Sequence, residues 1–258
     1  MQNLKITLVQ ADLVWEDIGA NLAFFDKEIK SLSRPTDLII LPEMFSTGFS
    51  MNAESLAQLM TESAVIWLLE TAFKKNTDIV GSLMIKENNR FYNRLCWARP
   101  NGKLLTYDKK HLFCFAGEDK VFTPGRENIT VELKGWKIRP FICYDLRFPC
   151  WTRNLRQEFD LAIFVANWPA RRSEHWKTLL KARAIENQCY VAGVNRVGID
   201  GNHLEYSGDS LVTDPFGKIL FSKKDQPLSH TTELSFSLLS EYRKKFPAWL
   251  DNDEIYFK

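Results

Sequence analysis

Apolar runs of strand length alternate along this chain with segments whose apolar residues recur at helical spacing. Leu4 to Gln10 (LKITLVQ) and Asp37 to Leu41 (DLIIL) read as strands. Between them, Asn21 to Leu32 places Leu22, Phe25, Ile29 and Leu32 on one helical face. Ser55 to Lys74 reads as a second amphipathic helix, leading into the strand DIVGSLMI. A β-rich middle follows: RFYNRLCWARP, a turn at Asn101-Gly102, and KLLTYDKKH form a predicted hairpin. ITVELKGWKIRPFICYD supplies two strands around Gly135, and a helix is expected from Trp151 to Gln157.

The rhythm then returns. DLAIFVANW is a strand ending at a polar residue, SEHWKTLLKARAIENQ a helix with Ser173 as its expected N-cap, and YVAGVNRVG again a strand. SGDSLVTDPFGKILFSK reads as a closing hairpin with Asp214, Pro215 and Gly217 in its turn. Open and hairpin connections together predict an α/β fold with mixed sheets, and a two-sheet sandwich covered by helices suits the shared rhythm of the two halves. No Pro-, Gly- or Ser-rich linker divides the 258 residues, so one domain over residues 1–258 is expected.

Composition narrows the function classes. Lys and Arg number 34 against 32 Asp and Glu, a formal net charge of +2, too small for a nucleic-acid footprint or a polybasic membrane anchor. The start, MQNLKITLVQADL, alternates like a strand and carries no signal-peptide pattern, so a cytoplasmic protein acting on a small molecule is expected. The five cysteines are widely spaced, with no CxxC pair and no matching CxxH cluster, which points to reduced thiols and not to disulfides or structural zinc.

In such folds ligands bind beyond the carboxyl ends of strands. Three reactive groups stand there: Glu43 in DLIILPEM, Lys109 and Lys110 in TYDKKHLF, and Cys143 in PFICYD. A carboxylate can take a proton from a thiol, and an ammonium can stabilise an oxyanion, so the set fits thiol acyl transfer. Two readings from other classes remain beside it. One is a metal-dependent phosphoesterase with Glu43, Asp145, Asp209 and Asp214 around a magnesium ion; the other is a binding or scaffold protein without turnover. His111 sits beside the lysines and can support them, while His175, His203 and His230 are dispersed.

The segments around these residues, together with EMFSTGF, FAGEDKVFTPG and VANWPARRSEHW, resemble the carbon-nitrogen hydrolases of the nitrilase superfamily, and more narrowly its omega-amidase branch. The resemblance runs from KITLVQADL to EYRKKFPAW. It implies an α-β-β-α sandwich of two mixed β-sheets flanked by helices. It also implies a Glu-Lys-Cys triad in which Glu43 of PEMF is the general base, Lys109 of YxKxHLF the oxyanion cation and Cys143 of CYDLRFP the nucleophile. Glu118, six residues before the Pro124-Gly125 dipeptide, would orient the lysine or the substrate amide. No metal and no organic cofactor is implied.

For a 2-oxo acid amide the substrate carboxylate needs a cation, and Arg147, Arg171 and Arg172 compete for the part, Arg172 first among them. Tyr144, whose backbone N–H follows the nucleophile, joins Phe45, Phe115 and Trp168 as candidates for an aromatic wall. The likeness also implies a homodimer in which the segment 241–258 reaches the partner. A nitrilase, a carbamoyl hydrolase or an amidase of another range are the alternatives within the superfamily.

Overall fold

The computed structural model describes residues 2–253. In chain order the elements are β1 (Leu4–Gln10), α1 (Ile18–Ser31), β2 (Leu38–Ile40), α2 (Ala53–Leu56), α3 (Ser63–Lys75), β3 (Asp78–Glu87), β4 (Arg90–Ala98) and β5 (Leu104–Asp108). Then come α4 (Glu118–Val121), β6 (Val131–Leu133), β7 (Trp136–Ile142), β8 (Leu161–Ala166) and α5 (Ser173–Asn187). The chain closes with β9 (Tyr190–Asn195), β10 (Val197–Ile199), β11 (Glu205–Thr213), β12 (Ile219–Lys224), β13 (Leu228–Leu234) and α6 (Phe236–Lys245).

Two mixed sheets result. The first has the order β13-β1-β2-β3-β4-β5, and the second β10-β11-β9-β8-β7-β6 with β12 beside β11. Each has a parallel centre, β1-β2-β3 in one and β7-β8-β9 in the other, extended by antiparallel strands. The alternation along the strands explains the layers. Leu4, Ile6, Leu8, Leu38, Ile40 and Leu95 join the core between the sheets, whereas Val9, Ile39, Ile79 and Cys96 face the cluster built with α1 and α3 through Phe25, Ile29, Val65 and Leu68. Strands buried on both faces read as unbroken apolar runs, which is why the sequence shows them so plainly. Helix α5 covers the second sheet closely: a Cβ on Gly193 would stand 2.5 Å from Leu180 Cδ1 and 2.7 Å from Trp176 Cζ2, so only glycine fits there.

Several expected boundaries shift for identifiable reasons. The expected helix Ser55 to Lys74 is two helices, because Gln58 leaves the helix to pair with β3, its N–H donating to Met84 O and its C=O accepting from Lys86 N. No helix spans Trp151 to Gln157. There Thr152 and Asn154 bond their side chains to the carbonyls of Phe148 and Phe159, and only a single 3-10 turn, Leu155–Gln157, forms. Ser173 is the first residue of α5 and not its cap; its hydroxyl donates to Asp209 instead. The hairpin β11–β12 turns as expected on Asp214, which accepts from Phe216 N and Lys218 N, but it does not close the fold. Strand β13 follows and pairs antiparallel with β1. Of the tail expected over 241–258, residues 241–245 end α6 and Ala248–Asp251 make a 3-10 turn, while 254–258 lie outside the described residues.

Candidate active site

Three strand ends converge. After β2, Leu41 and Pro42 carry the chain to Glu43, and Met44 turns it sharply with φ +42°. After β5, the backbone of Lys109 is pinned on both sides, its N–H donating to Asn93 O and its C=O accepting from Gly125 N at 2.8 Å. Only glycine allows that approach, since a Cβ on residue 125 would fall 2.0 Å from Asp108 O. After β7, Cys143 adopts φ +42°, a left-handed conformation that costs a non-glycine residue about 1–3 kcal/mol and clusters at functional sites.

A continuous polar web joins these ends. Lys109 Nζ donates to Glu43 Oε1 at 2.8 Å and to Glu118 Oε1 and Oε2 at 3.0 and 2.9 Å. Asn93 Nδ2 donates to Glu43 Oε1 at 2.8 Å and to Glu118 Oε1 at 3.1 Å. The other Glu43 oxygen accepts the backbone N–H of Asn167, whose amide group donates to Glu43 O at 2.6 Å. Phe113 N–H completes Glu118 at 2.6 Å. All of these side chains except that of Phe113 are buried, so one ammonium serves two carboxylates in a dry setting.

The electrostatics follow from that count. Burial by itself would favour a neutral amine, but the charges of Glu118 and Glu43 outweigh it and hold the Lys109 ammonium protonated above its ordinary range. Burial raises the pKa of Glu118, with Lys109 opposing the shift and Glu43 adding to it. The Cys143 thiol is pushed well above its usual value, first by burial and then by the negative charge of Glu43, with which it shares a hydrogen bond. Its sulfur also lies 4.0 Å from Asn167 O. The arrangement therefore favours a neutral thiol beside a base over a standing thiolate.

Lys109, Cys143 and Asn167 open onto a cavity of about 570 Å³. Tyr144, Trp168 and Phe115 line it, Phe115 largely exposed. Phe45 does not. The turn at Met44 sends its ring to the helix side of the first sheet, fully buried, with centroids 5.5 Å from Phe25 and 5.8 Å from Trp67. Lys110 also parts from its neighbour, its ammonium lying over the Trp151 ring.

Arg147, Arg171 and Arg172 all reach the cavity. Arg147 lies over Trp168 at 4.8 Å and contacts His175 Nδ1, and Arg172 lies over Phe113 at 5.4 Å. Burial, then the like charges of Arg171 and Arg147, lower the pKa of Arg172. Phe49, Phe113, Tyr206 and Trp15 add aromatic wall, and Glu16 and Asp200 add two carboxylates; none of these was singled out from the sequence. Neither was Asn93, although an asparagine inside the apolar strand FYNRLCW is a signal of a buried polar task. The four acidic residues of the phosphoesterase reading do not share one site. Asp145 accepts from Tyr107 and His111, Asp209 from Ser173 and Ser207, and Asp214 from its own turn, while Glu43 faces Lys109.

A sandwich of two mixed sheets that gathers a thiol, a lysine and two carboxylates beyond its strand ends has the layout expected of a carbon–nitrogen hydrolase. The chain belongs to the carbon-nitrogen hydrolase family, whose model matches residues 5–244. It is 48% identical over 256 residues to omega-amidase YafV of Escherichia coli K12, covering 99% of each chain. It is 35% identical to a 2-oxoglutaramate amidase of Bacillus subtilis, over 95% of this chain and 96% of that one. A Xanthomonas campestris protein of the same superfamily, solved with an arsenic adduct in its active site, superposes with a TM-score of 0.98 at 44% identity over the whole of both chains. The protein is thus a carbon–nitrogen hydrolase acting on amides. Among the described residues no helix is long and apolar enough to cross a membrane.

Proposed function

We propose that this enzyme releases ammonia from the terminal amide of 2-oxo dicarboxylic acid monoamides, 2-oxoglutaramate and 2-oxosuccinamate, through a thioester on Cys143, and that it does so in the cytoplasm. The observation that carries the reading is the group of three arginines in the same cavity as the thiol, Arg147, Arg171 and Arg172. Glu16 and Asp200 line the same cavity but accept from Ser50 and Tyr206, and among the described residues no ion pair joins a carboxylate to any of the three guanidinium groups, so the cluster calls for an anionic ligand. The Bacillus subtilis relative is a 2-oxoglutaramate amidase and the Escherichia coli relative an omega-amidase, which supports 2-oxoglutaramate as a substrate.

In the proposed cycle Glu43 takes the thiol proton as Sγ attacks the amide carbon. The tetrahedral oxyanion is held by the Lys109 ammonium and the backbone N–H of Tyr144. Glu43 returns the proton to the nitrogen, the C–N bond breaks and ammonia leaves. A water that gives its proton to Glu43 then attacks the thioester carbon. The C–S bond breaks, the sulfur is reprotonated, and a dicarboxylate is released. Glu118 and Asn93 keep Lys109 and Glu43 in place through the bonds they share.

Ammonia release from the two 2-oxo amides, set against propionamide, an N-carbamoyl amino acid and a simple nitrile, tests the assignment; turnover of the oxo amides no faster than of propionamide would sink it. Arg172 is assigned the substrate carboxylate, with Phe115, Tyr144 and Trp168 as the walls beside it. Arg172→Ala should lower kcat/KM for 2-oxoglutaramate about 10- to 100-fold, as loss of a charge-assisted pair does, and leave propionamide within about twofold. Equal losses on both substrates would place the carboxylate elsewhere.

We infer as well that two copies pair. Phe216, Leu238 and Phe246 are exposed beside the ring of Tyr242, next to Ile185 on the outer face of α5, and such a face fits a two-fold contact. Sedimentation velocity should give a dimer at micromolar concentration, and a monomer there would refute the pairing.

A further inference from the structure

Asp145 lies two residues beyond the thiol, is fully buried, and takes no direct part in the cycle above. Its carboxylate nevertheless holds three segments at once. Oδ2 accepts the Tyr107 hydroxyl at 2.7 Å and the backbone N–H of Ile142 at 3.0 Å. Oδ1 accepts both the backbone N–H and the ring Nδ1–H of His111, at 3.0 and 2.9 Å. Tyr107 and His111 stand two residues before and two after Lys109, so one carboxylate grips the lysine loop on either side of the lysine. Ile142 precedes Cys143, so the same carboxylate holds the first residue of the strained turn that presents the thiol.

The donors are themselves fixed. Trp151 Nε1 donates to the Tyr107 hydroxyl at 3.0 Å, and the His111 ring stacks on Phe148 at 3.7 Å. Phe148 and Trp151 belong to the chain that follows the thiol, so the two sides of the contact are tied twice. Four donors converging on two oxygens is the full complement that a carboxylate takes up comfortably.

We propose that Asp145 is a positioning residue that sets Lys109 and Cys143 in register, acting on the reaction through Tyr107, His111 and Ile142. This rests on the reading in which Lys109 and Cys143 work on one amide. Loss of the supporting bonds around a reacting group commonly costs 10- to 100-fold, and a misplacement of about 1 Å can cost roughly 100-fold. Asp145→Asn keeps the shape but turns an NH₂ toward either the Tyr107–Ile142 pair or the two donors of His111.

The experiment measures kcat and KM per titratable thiol, together with the pH profile of Cys143 alkylation by iodoacetamide, in wild type, Asp145→Asn, Tyr107→Phe and the double variant. Asp145→Asn is expected to lower kcat about 10- to 100-fold with KM within about twofold, and to move the alkylation profile to higher pH, because a displaced Lys109 ammonium favours the thiolate less. Tyr107→Phe should do less in the same direction, and the double variant should be no worse than Asp145→Asn within about twofold. A kcat per thiol within about twofold of wild type, an unshifted alkylation profile, or additive losses in the double variant would overturn the proposal. The alkylation arm uses no 2-oxo acid, so failure of the 2-oxo amide assignment would show in the turnover arm alone.

Discussion

Cys143→Ala is expected to reduce ammonia release from 2-oxoglutaramate by on the order of 10,000-fold or more, as removal of a nucleophile does when its neighbours are left in place. The variant keeps Glu43, Lys109 and Glu118, so it can still bind the amide and polarise its carbonyl, but it has no atom with which to form the acyl intermediate. The remaining thiols cannot substitute. Cys96 and Cys189 are completely buried in the core, where burial pushes both up to about 12, and Cys114 and Cys150 are exposed and outside the cavity lining. The side chain removed is small and borders the cavity, so thermal unfolding should stay close to that of the wild type. Substrate binding measured by calorimetry should persist. Residual turnover above a few per cent, with folding intact, would mean that the attacking group lies elsewhere.

The parts of this site that the sequence displayed are those that follow from strand ends. Glu43 and Cys143 come directly or shortly after strands that end in fully buried apolar residues, LII and PFI, where a reactive group is conspicuous, while Lys109 follows the partly buried strand LLTYD and stands out by its place at the hairpin's end. Glu118 was legible only through its spacing from Pro124-Gly125 within a family pattern, since a glutamate at the start of a four-residue helix says nothing by itself. Asn93 and Asp145 belong to a different category. What they do depends on which strands lie side by side: Asn93 touches Glu43 and Glu118 because β4 pairs between β3 and β5, and no local pattern carries that information.

The misreadings have the same origin. Phe45 was a wall candidate as an aromatic residue close to Glu43, yet the positive φ at Met44 turns the chain and puts the ring into the opposite core. Strand β13 escaped notice because LSHTTEL is an edge strand, half-buried along most of its length, and shows neither an apolar run nor a clean alternation. The expected helix from Ser55 failed at Gln58 because a tertiary pairing with β3 outweighed local propensity.

The second large effect concerns Glu43, and here the signs of two observables should diverge. Glu43→Gln removes the base while leaving an acceptor oxygen for Lys109 and Asn93, and turnover should fall about 100- to 10,000-fold, the usual worth of general-base assistance. The thiol should nevertheless become easier to ionise. Its pKa is held up first by burial, which the substitution leaves alone, and next by the negative charge of Glu43, which it abolishes, so that Lys109 is left to face one carboxylate instead of two. The midpoint of iodoacetamide alkylation should therefore move to lower pH in Glu43→Gln, and alkylation near neutral pH should become faster as catalysis collapses. An enzyme that worked through a standing thiolate paired with Lys109 would behave otherwise: a more easily formed thiolate would sustain or raise turnover. Loss of turnover with a lowered midpoint identifies Glu43 as the group that accepts the proton during attack. Turnover within about tenfold of wild type, or a midpoint displaced upward, would show that the proton leaves the sulfur by another route.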